Sequence, residues 1–290
     1  MKVVGFTFVR NAIQYDYPVL ESINSLLPLC DEVVVAVGNS EDGTLALIQG
    51  IASPKIRIIE TVWDDTLREG GRVLAVETDK ALAAVPADAD WAIYLQADEV
   101  LHEADYPAIR AGMAQWKDDK AVEGLLLGYR HFYGSYDYVG DSYRWYRREI
   151  RIVRPGIGVQ SYRDAQGFRR AGNRKLHVKL LAATVHHYGW VKPPAAMQRK
   201  QETFNKLWHS DDWVAEHVAA AEEFDYSQVD SLQRFAGTHP AVMAGRIEAR
   251  NWRFDHDPSH NRYRLKDRLK QALERLTGLR LGEYRNYELR

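Results

Sequence analysis

Short apolar runs alternate with segments of helical periodicity through the first half of the chain. The first run is Val3–Val9, and Arg10-Asn11 ends it. Apolar runs of this length are typical of buried strands in a parallel sheet. After Pro18, apolar residues recur three and four positions apart, which indicates an amphipathic helix. This alternation predicts right-handed βαβ units and an α/β fold with a mostly parallel sheet flanked by helices.

The same reasoning places the remaining elements. The predicted strands are Val3–Val9, Val33–Val37, Ile56–Ile59, a strand beginning at Trp91, Val122–Tyr129, Ile150–Val153 and Leu180–Val185. The predicted helices follow Pro18 and Thr44 and cover Leu67–Val85, Tyr106–Trp116, Ala195–Trp208, Asp212–Glu223 and a basic amphipathic tail at Leu265–Leu279. Two polar stretches are predicted to be irregular: a loop or hairpin at His131–Arg148 and a Gly-containing loop at Arg163–Lys175.

Composition narrows the class of protein. Hydrophobic residues make up 46% of the chain and charged residues 27%, as in ordinary globular proteins. A formal net charge of −1 gives no basic field for nucleic acid, so we expect no nucleic-acid partner. The single Cys30 excludes an intramolecular disulfide framework. No segment approaches the roughly 18 apolar residues of a membrane span, and we expect a cytoplasmic protein.

The strongest chemical signal lies at the end of the fourth predicted strand. Five apolar residues from Trp91 to Leu95 are followed by Gln96-Ala97-Asp98-Glu99. In open α/β sheets, ligands bind in the crevice at the carboxyl ends of the strands. Paired carboxylates there suit Mg²⁺ or Mn²⁺, which in turn suits a diphosphate. Alternatively, the two acids only begin a solvated loop.

Five features in order resemble family 2 glycosyltransferases of the GT-A fold. They are Arg10-Asn11, Asn39-Ser40-Glu41-Asp42-Gly43-Thr44, Gly71-Arg72, the strand Ile93–Leu95 with its acids, and His187-Tyr188-Gly189-Trp190. The resemblance covers about residues 1–190. It implies a GT-A domain at 1–192, with a nucleotide-binding part at 1–100 and an acceptor-side part at 101–192. A helical C-terminal extension at 193–290 would follow.

The resemblance also implies ligand contacts. Contacts with a nucleotide-sugar are expected from Phe8, Arg10, Asn11, Asn39, Asp42, Arg72, Gln96 and Ala97. A Mn²⁺ or Mg²⁺ ion is expected at Asp98, Glu99 and His187. Of the two adjacent histidines, His187 is favoured because neighbours on a strand face opposite sides. A structural hydrogen bond is the alternative role for His187.

The sequence departs from the family pattern at two places. Gln96 stands where the family has the first acid of its Asp-any-Asp motif, although its amide can still bond a ribose hydroxyl. Val37-Gly38 replaces two acids that help to bind the base. Because of these departures, the sequence does not identify the nucleobase of the donor.

The family places its general base between the metal motif and the late histidine. That interval contains Asp137, Asp141, Glu149 and Asp164, and we favour Asp164, in its Gly-containing loop, ahead of Glu149. Glu149 lies among arginines, so an ion-paired structural role is its alternative. The aromatic segment with His131, Tyr133 and Tyr136 is the candidate acceptor surface, or else a hairpin packed on the core.

These features predict a metal-dependent inverting glycosyltransferase. It would move a sugar from a nucleotide donor to a glycan, a lipid-linked acceptor or a small molecule, and the tail helix could contact the inner membrane face. One alternative is a nucleotidyltransferase, although Phe8-Val9-Arg10-Asn11-Ala12 lacks the expected glycines. A catalytically degenerate protein that only binds sugar nucleotides is the other alternative.

Overall fold

The protein is an α/β structure built on one curled sheet. The computed structural model describes residues 1–67, 69–218, 221–261, 270, 273–274, 276–277, 280 and 282–290. Its strands are β1 Val3–Val9, β2 Glu32–Gly38, β3 Ile56–Thr61, β4 Trp91–Tyr94, β5 Glu99–Leu101, β6 Gly124–Tyr133, β7 Ser135–Gly140, β8 Arg148–Val153, β9 Val159–Tyr162, β10 Gly167–Arg170, β11 Arg174–Trp190, β12 Leu232–Arg234 and β13 Tyr287–Leu289. Its α-helices are α1 Val19–Leu26, α2 Thr44–Gln49, α3 Arg72–Ala83, α4 Tyr106–Trp116, α5 Pro194–Lys206, α6 Asp211–His217 and α7 Ala244–Glu248.

The sheet has the strand order β3-β2-β1-β4-β8-β6-β11-β10-β9. Strands β3, β2, β1 and β4 are parallel, so their carboxyl ends meet at one edge. Strand β8 is antiparallel to both β4 and β6, whereas β6 and β11 are parallel. The prediction of an α/β fold with parallel strands flanked by helices is confirmed.

Helices cover both faces of the parallel part of the sheet, which explains its continuous apolar strands. In β2, Val33, Val35 and Val37 pack in one core cluster with the apolar face of α1. The intervening Val34 and Ala36 pack in a second cluster with residues of α3. Because both sets are buried, the strand shows no polar alternation.

The long strand β11 lies between β6 and β10 in the sheet. It pairs with β6 along most of its length and, near its end, with the short antiparallel strand β5. Strand β5 follows the acidic motif directly, so β11 passes beside that motif. This pairing positions the candidate site.

Two regions differ from the predicted elements. The predicted loop at Arg163–Lys175 contains strand β10, which forms a hairpin with β9. The region after residue 192 contains the expected helices α5 and α6, although α6 ends at His217 rather than at Glu223, and α7 is an additional short helix. Strand β12 joins β7 and β13 joins β11. The C-terminal region therefore extends the sheet as well as adding helices.

The predicted tail helix Leu265–Leu279 lies mostly outside the described residues. Among the helices that are described, none combines the length and apolar character needed to cross a membrane.

Candidate functional site

A cavity of about 750 Å³ opens at the carboxyl ends of β1 and β4 and extends to α5. Nine of the predicted site residues line it: Phe8, Arg10, Asn11, Gln96, Ala97, Asp98, His131, Asp164 and His187. Helix α5 and the turn after it contribute the opposite wall, including Lys200, Phe204 and Trp208. The cavity therefore joins residues from both sides of the predicted boundary at 192.

Strand pairing brings the acidic motif beside the late histidine. Glu99 pairs with His187 in the antiparallel β5–β11 register, and the Tyr188 N–H donates to the Asp98 carbonyl at 2.8 Å. As a result, His187 Nε2 lies 3.7 Å from Asp98 Oδ1. The sequence predicted this pairing although 88 residues separate the two positions.

Two hydrogen bonds fix the tautomer of His187. His131 Nε2 donates to the Tyr146 carbonyl at 2.9 Å, because a carbonyl can only accept. His131 Nδ1 is then the acceptor in the 3.1 Å contact between the two Nδ1 atoms, so His187 Nδ1 donates. Burial lowers the pKa of both imidazoles, which keeps them neutral. His187 Nε2 consequently presents a lone pair toward Asp98.

Gly189 keeps the space between these two groups open. A Cβ atom at position 189 would lie 2.6 Å from His187 Nε2 and 2.7 Å from Asp98 Oδ2. Both contacts are far shorter than van der Waals distances. A side chain at this position would fill the space on which the lone pair and the carboxylate converge.

Positive charge surrounds Asp98. Its side chain is only 10% exposed, and Oδ2 accepts a hydrogen bond from Lys200 Nζ at 3.2 Å. Burial alone would raise the pKa of Asp98, but the nearby Lys200 ammonium outweighs it and the pKa lies far below its usual range. Lys192 lies deeper, where its Nζ donates to the Asp16 carbonyl at 2.9 Å and burial lowers its pKa strongly. Asp98 is therefore ionised.

The donor set fits a divalent cation that shares its shell with a diphosphate. No group of three His, Cys, Asp or Glu side chains that could hold a metal occurs in the described part of the chain. However, Mg²⁺ commonly takes one or two protein ligands and completes its shell with water and substrate phosphates. Asp98 and His187 supply one hard oxygen and one neutral imidazole nitrogen, and Gly189 leaves the space between them.

Glu99 does not belong to this donor set, which corrects the expectation of a third metal ligand. Arg151 donates to both of its oxygens, with Nε and Nη2 each at 2.7 Å, and neither side chain is exposed. The Tyr129 hydroxyl bonds the same carboxylate. Glu99 is thus the acceptor of a buried ion pair and lies outside the cavity lining.

Asp164 lies in the tight turn between β9 and β10 and lines the cavity. The residues on either side, Arg163 and Ala165, have positive φ of 57° and 64°. Gln96 Nε2 donates to the Ala165 carbonyl at 3.1 Å, so the residue that replaces the family's first acid braces this turn. Burial raises the pKa of Asp164, which makes its carboxylate a stronger base.

Glu149 faces the protein interior. It is 1% exposed, does not line the cavity, and its carboxylate accepts from the Ile150 N–H at 2.9 Å. Desolvation raises its pKa to about 7. The expectation of Glu149 as a catalytic group is corrected, because an acceptor cannot reach it.

At the end of β1, four residues form one compartment of the cavity. Arg10 Nη1 bonds Asp65 Oδ1 at 2.6 Å, and its guanidinium lies 5.6 Å from the Trp63 ring centre. The rings of Trp63 and Phe8 are 5.8 Å apart. Trp63 also packs on Gly38, where any side chain would collide with the indole. Trp63 therefore explains why position 38 carries a glycine.

Three residues that were expected to contact the nucleotide lie outside the cavity lining. Asp42 Oδ2 accepts from the Ile13 and Gln14 N–H groups, and Asn39 Oδ1 accepts from the Trp63 N–H. Both side chains brace loops and lie outside the cavity lining. Arg72 is exposed at the start of α3 and also lies outside it. By contrast, Asn11 lines the cavity, and its Oδ1 accepts from the Glu41 N–H at 2.8 Å.

The predicted acceptor residues are divided. His131 lines the cavity, but hydrogen bonds occupy both ring nitrogens. Tyr133 and Tyr136 are 5% and 2% exposed, do not line the cavity and belong to two apolar clusters. The alternative of a hairpin packed on the core therefore describes the two tyrosines.

Sequence reasoning missed several cavity residues. They are Tyr15, Tyr17, Trp63, Asp65, Arg144, Trp145, Trp190, Lys200, Phe204 and Trp208. For the tyrosines and tryptophans among them the composition offers a signal, because the chain has 16 Tyr and 8 Trp but only 8 Phe, and such rings are typical of surfaces that bind polar ligands. That excess does not show which rings meet.

Neither the protein-family models nor the curated proteins include a match to this chain. Similarity is found among solved structures. S. aureus TarS 1–349 in complex with UDP is 13% identical, over 77% of this chain and 68% of that one, with a TM-score of 0.40. In another TarS structure the match covers 39% of that chain, so this chain spans well under half of its length.

A second similar structure is glucosyl-3-phosphoglycerate synthase from Mycobacterium tuberculosis, in complex with Mn²⁺, UDP and phosphoglyceric acid. It is 20% identical, over 45% of this chain and 43% of that one, with a TM-score of 0.30. At these values neither likeness assigns an activity to this chain.

Proposed function

We propose that the protein is a glycosyltransferase that takes a sugar from a nucleotide-diphosphate donor by a metal-dependent, inverting reaction. The observation that supports this most directly is the convergence of Asp98 and His187 Nε2 on the space beside Gly189. The space lies in a cavity large enough for a nucleotide and a sugar. The acceptor is a glycan, a lipid-linked sugar or a small molecule.

The donor would occupy the side of the cavity at β1. The nucleobase packs against Trp63 and Phe8, and the Arg10–Asp65 pair supplies polar groups at its edge. Asp98 and His187 would hold Mn²⁺ or Mg²⁺. When bound, the ion offsets the negative charge that develops on the leaving group.

Asp164 is the proposed general base. Its carboxylate lies in the same cavity and takes the proton of the acceptor hydroxyl as the hydroxyl oxygen bonds the anomeric carbon. The bond from that carbon to the diphosphate oxygen breaks, and the nucleoside diphosphate leaves. Gln96 holds the Asp164 turn through the Ala165 carbonyl. Trp145 and Trp190, also in the lining, offer ring faces for the acceptor.

The first experiment is a thermal-shift panel of nucleoside diphosphates and nucleotide sugars, with and without Mn²⁺. A ligand that binds only the folded protein raises the melting temperature. We expect a Mn²⁺-dependent shift for one base and loss of that shift in Asp98→Asn. The matched control is Asp88→Asn, because Asp88 is an exposed partner of Lys2. Silence of the wild type across the whole panel would contradict the proposal.

Turnover distinguishes an enzyme from a protein that only binds its ligand. Asp164→Asn should keep the thermal shift and release nucleoside diphosphate about 100-fold more slowly or worse, because one general base contributes about 10²–10⁴ in rate. If the wild type binds a nucleotide sugar but never releases nucleoside diphosphate, the binding-protein alternative is correct. If Asp164→Asn releases it at the wild-type rate, another group is the base.

A further inference from the structure

We propose that Lys200 is a second cationic group of the site, which competes with the metal ion for Asp98 and binds the donor's diphosphate. The inference rests on the proposed function and assigns a role to helix α5. In this structure Lys200 Nζ donates to Asp98 Oδ2 at 3.2 Å and to the Gly189 carbonyl at 3.0 Å. The ammonium therefore borders the space on which the two metal ligands converge.

The position of Lys200 is defined by its surroundings. Its side chain is 12% exposed, and the ammonium lies 5.0 Å from the centre of the Tyr17 ring. Helix α5 is attached at both ends: it continues from β11, and the Gly71 N–H donates to the Leu207 carbonyl just beyond it. In its last turn, Thr203 accepts a hydrogen bond from the Tyr15 hydroxyl. Lys200 thus lies on a braced helix and points into the cavity.

The Lys200 ammonium can pair with two anionic groups, the Asp98 carboxylate and a bound diphosphate. Asp98 carries one negative charge, which the ammonium neutralises. A divalent ion bound to the same carboxylate would lie close to the ammonium, and the two cations would repel each other, because the Asp98 and Lys200 side chains are largely buried and little screened by solvent. A diphosphate removes the conflict because its negative charges can pair with both cations. Lys200 therefore weakens the binding of a metal ion alone and strengthens the binding of a diphosphate.

The test measures binding by calorimetry, with Mn²⁺ alone and inorganic pyrophosphate alone as probes. In Lys200→Met, we expect Mn²⁺ to bind about tenfold more tightly and pyrophosphate about tenfold more weakly, within the usual range of coupling between sites. Lys200→Arg keeps the charge and should restore both affinities toward wild type. Arg199→Met is the matched control, because Arg199 is the exposed neighbour on α5 and does not line the cavity.

Unchanged affinities for both probes in Lys200→Met would overturn the inference. A change for only one probe would also overturn it, because one ammonium is assigned both effects. Thermal unfolding checks that the variant is folded, and Lys200→Gln, which keeps a donor for the Gly189 carbonyl, provides a second neutral variant. Since pyrophosphate has no base or sugar, failure of this test is distinguishable from silence of the nucleotide panel.

Discussion

At the scale of single residues, the two acids Asp98 and Glu99 have opposite surroundings although they are adjacent. Asp98 faces the cavity, whereas Glu99 lies against Arg151 in the core. Successive side chains of a strand point to opposite faces of the sheet. Two adjacent acids at the start of a strand therefore lie on different faces. The sequence identified the pair but could not identify Arg151, 52 residues away, as the partner of one member.

The buried pair makes a stability prediction. Arg151→Ala leaves the Glu99 carboxylate buried without its cation, and we expect a loss of about 3–5 kcal/mol in the free energy of unfolding, measured with urea at neutral pH. Arg174→Ala is the control: Arg174 is 44% exposed, and its partner Glu123 keeps Arg170. Its effect should stay below about 1 kcal/mol. Equal losses in the two variants would refute the buried role of Arg151.

Glu149 makes a prediction about pH. Its pKa rises from 4.5 to about 7 on folding, so the folded state binds its proton more tightly than the unfolded state. Stability from this group is therefore present below pH 4.5 and is lost as pH rises to about 7, by about 3 kcal/mol in all. In Glu149→Gln this part of the pH dependence should vanish. Denaturant titrations from pH 4.5 to pH 8 measure it, and identical profiles for both proteins would contradict the assignment.

At the scale of elements, strand β11 determines the geometry of the site, since its pairing with β5 and β6 brings His187 to both Asp98 and His131. Gly189 is the residue of β11 whose lack of a side chain leaves space for the proposed metal ion. Gly189→Ala should abolish Mn²⁺-dependent thermal shifts, because the methyl group enters the space between the two ligands.

Gly245→Ala is the control for that variant. Gly245 lies in helix α7, and a Cβ atom there meets nothing within 4 Å. This alanine should leave ligand binding unchanged and should raise stability slightly, as alanine does in helices. If Gly189→Ala binds like Gly245→Ala, the space beside Gly189 is not the cation site.

Elements with a uniform local pattern could be predicted from the sequence. Val3–Val9 and Tyr106–Trp116 have the predicted bounds, because apolar spacing alone determines them. The β9–β10 hairpin was missed, since Gly167-Phe168-Arg169 lies in a polar stretch and only Phe168 carries an apolar side chain into the core. Asp164 was favoured for its loop, but the positive-φ residues beside it have no sequence signal in Arg163 and Ala165.

At the scale of the whole molecule, the region after residue 192 is part of the same folded unit. It lines the cavity through α5 and adds β12 and β13 to the sheet. Met197, Leu232 and Met243 are buried in clusters with residues of β6, β7 and β11. The sequence predicted helices here but not their contacts, because such contacts join positions far apart in the chain.

Ending the chain at residue 192 tests this integration. We expect the fragment 1–192 to lose cooperative thermal unfolding and all nucleotide shifts, because its apolar clusters are exposed and the cavity wall formed by α5 is missing. Co-expression with a separate fragment of residues 193–290 serves as the control and should restore a soluble complex. A fragment 1–192 that unfolds cooperatively and binds nucleotide by itself would show that the predicted domain boundary is a real one.

The hydrogen bonds from Tyr146 through His131 to His187 assign a state to every ring nitrogen of the two histidines. In nitrogen-15 spectra we expect His131 Nε2 and His187 Nδ1 to be the protonated, pyrrole-type nitrogens and the other two to be pyridine-type. Three of the four are engaged within the protein. Only His187 Nε2 is left to accept either a proton or a cation. A proton and a metal ion therefore exclude each other at this nitrogen.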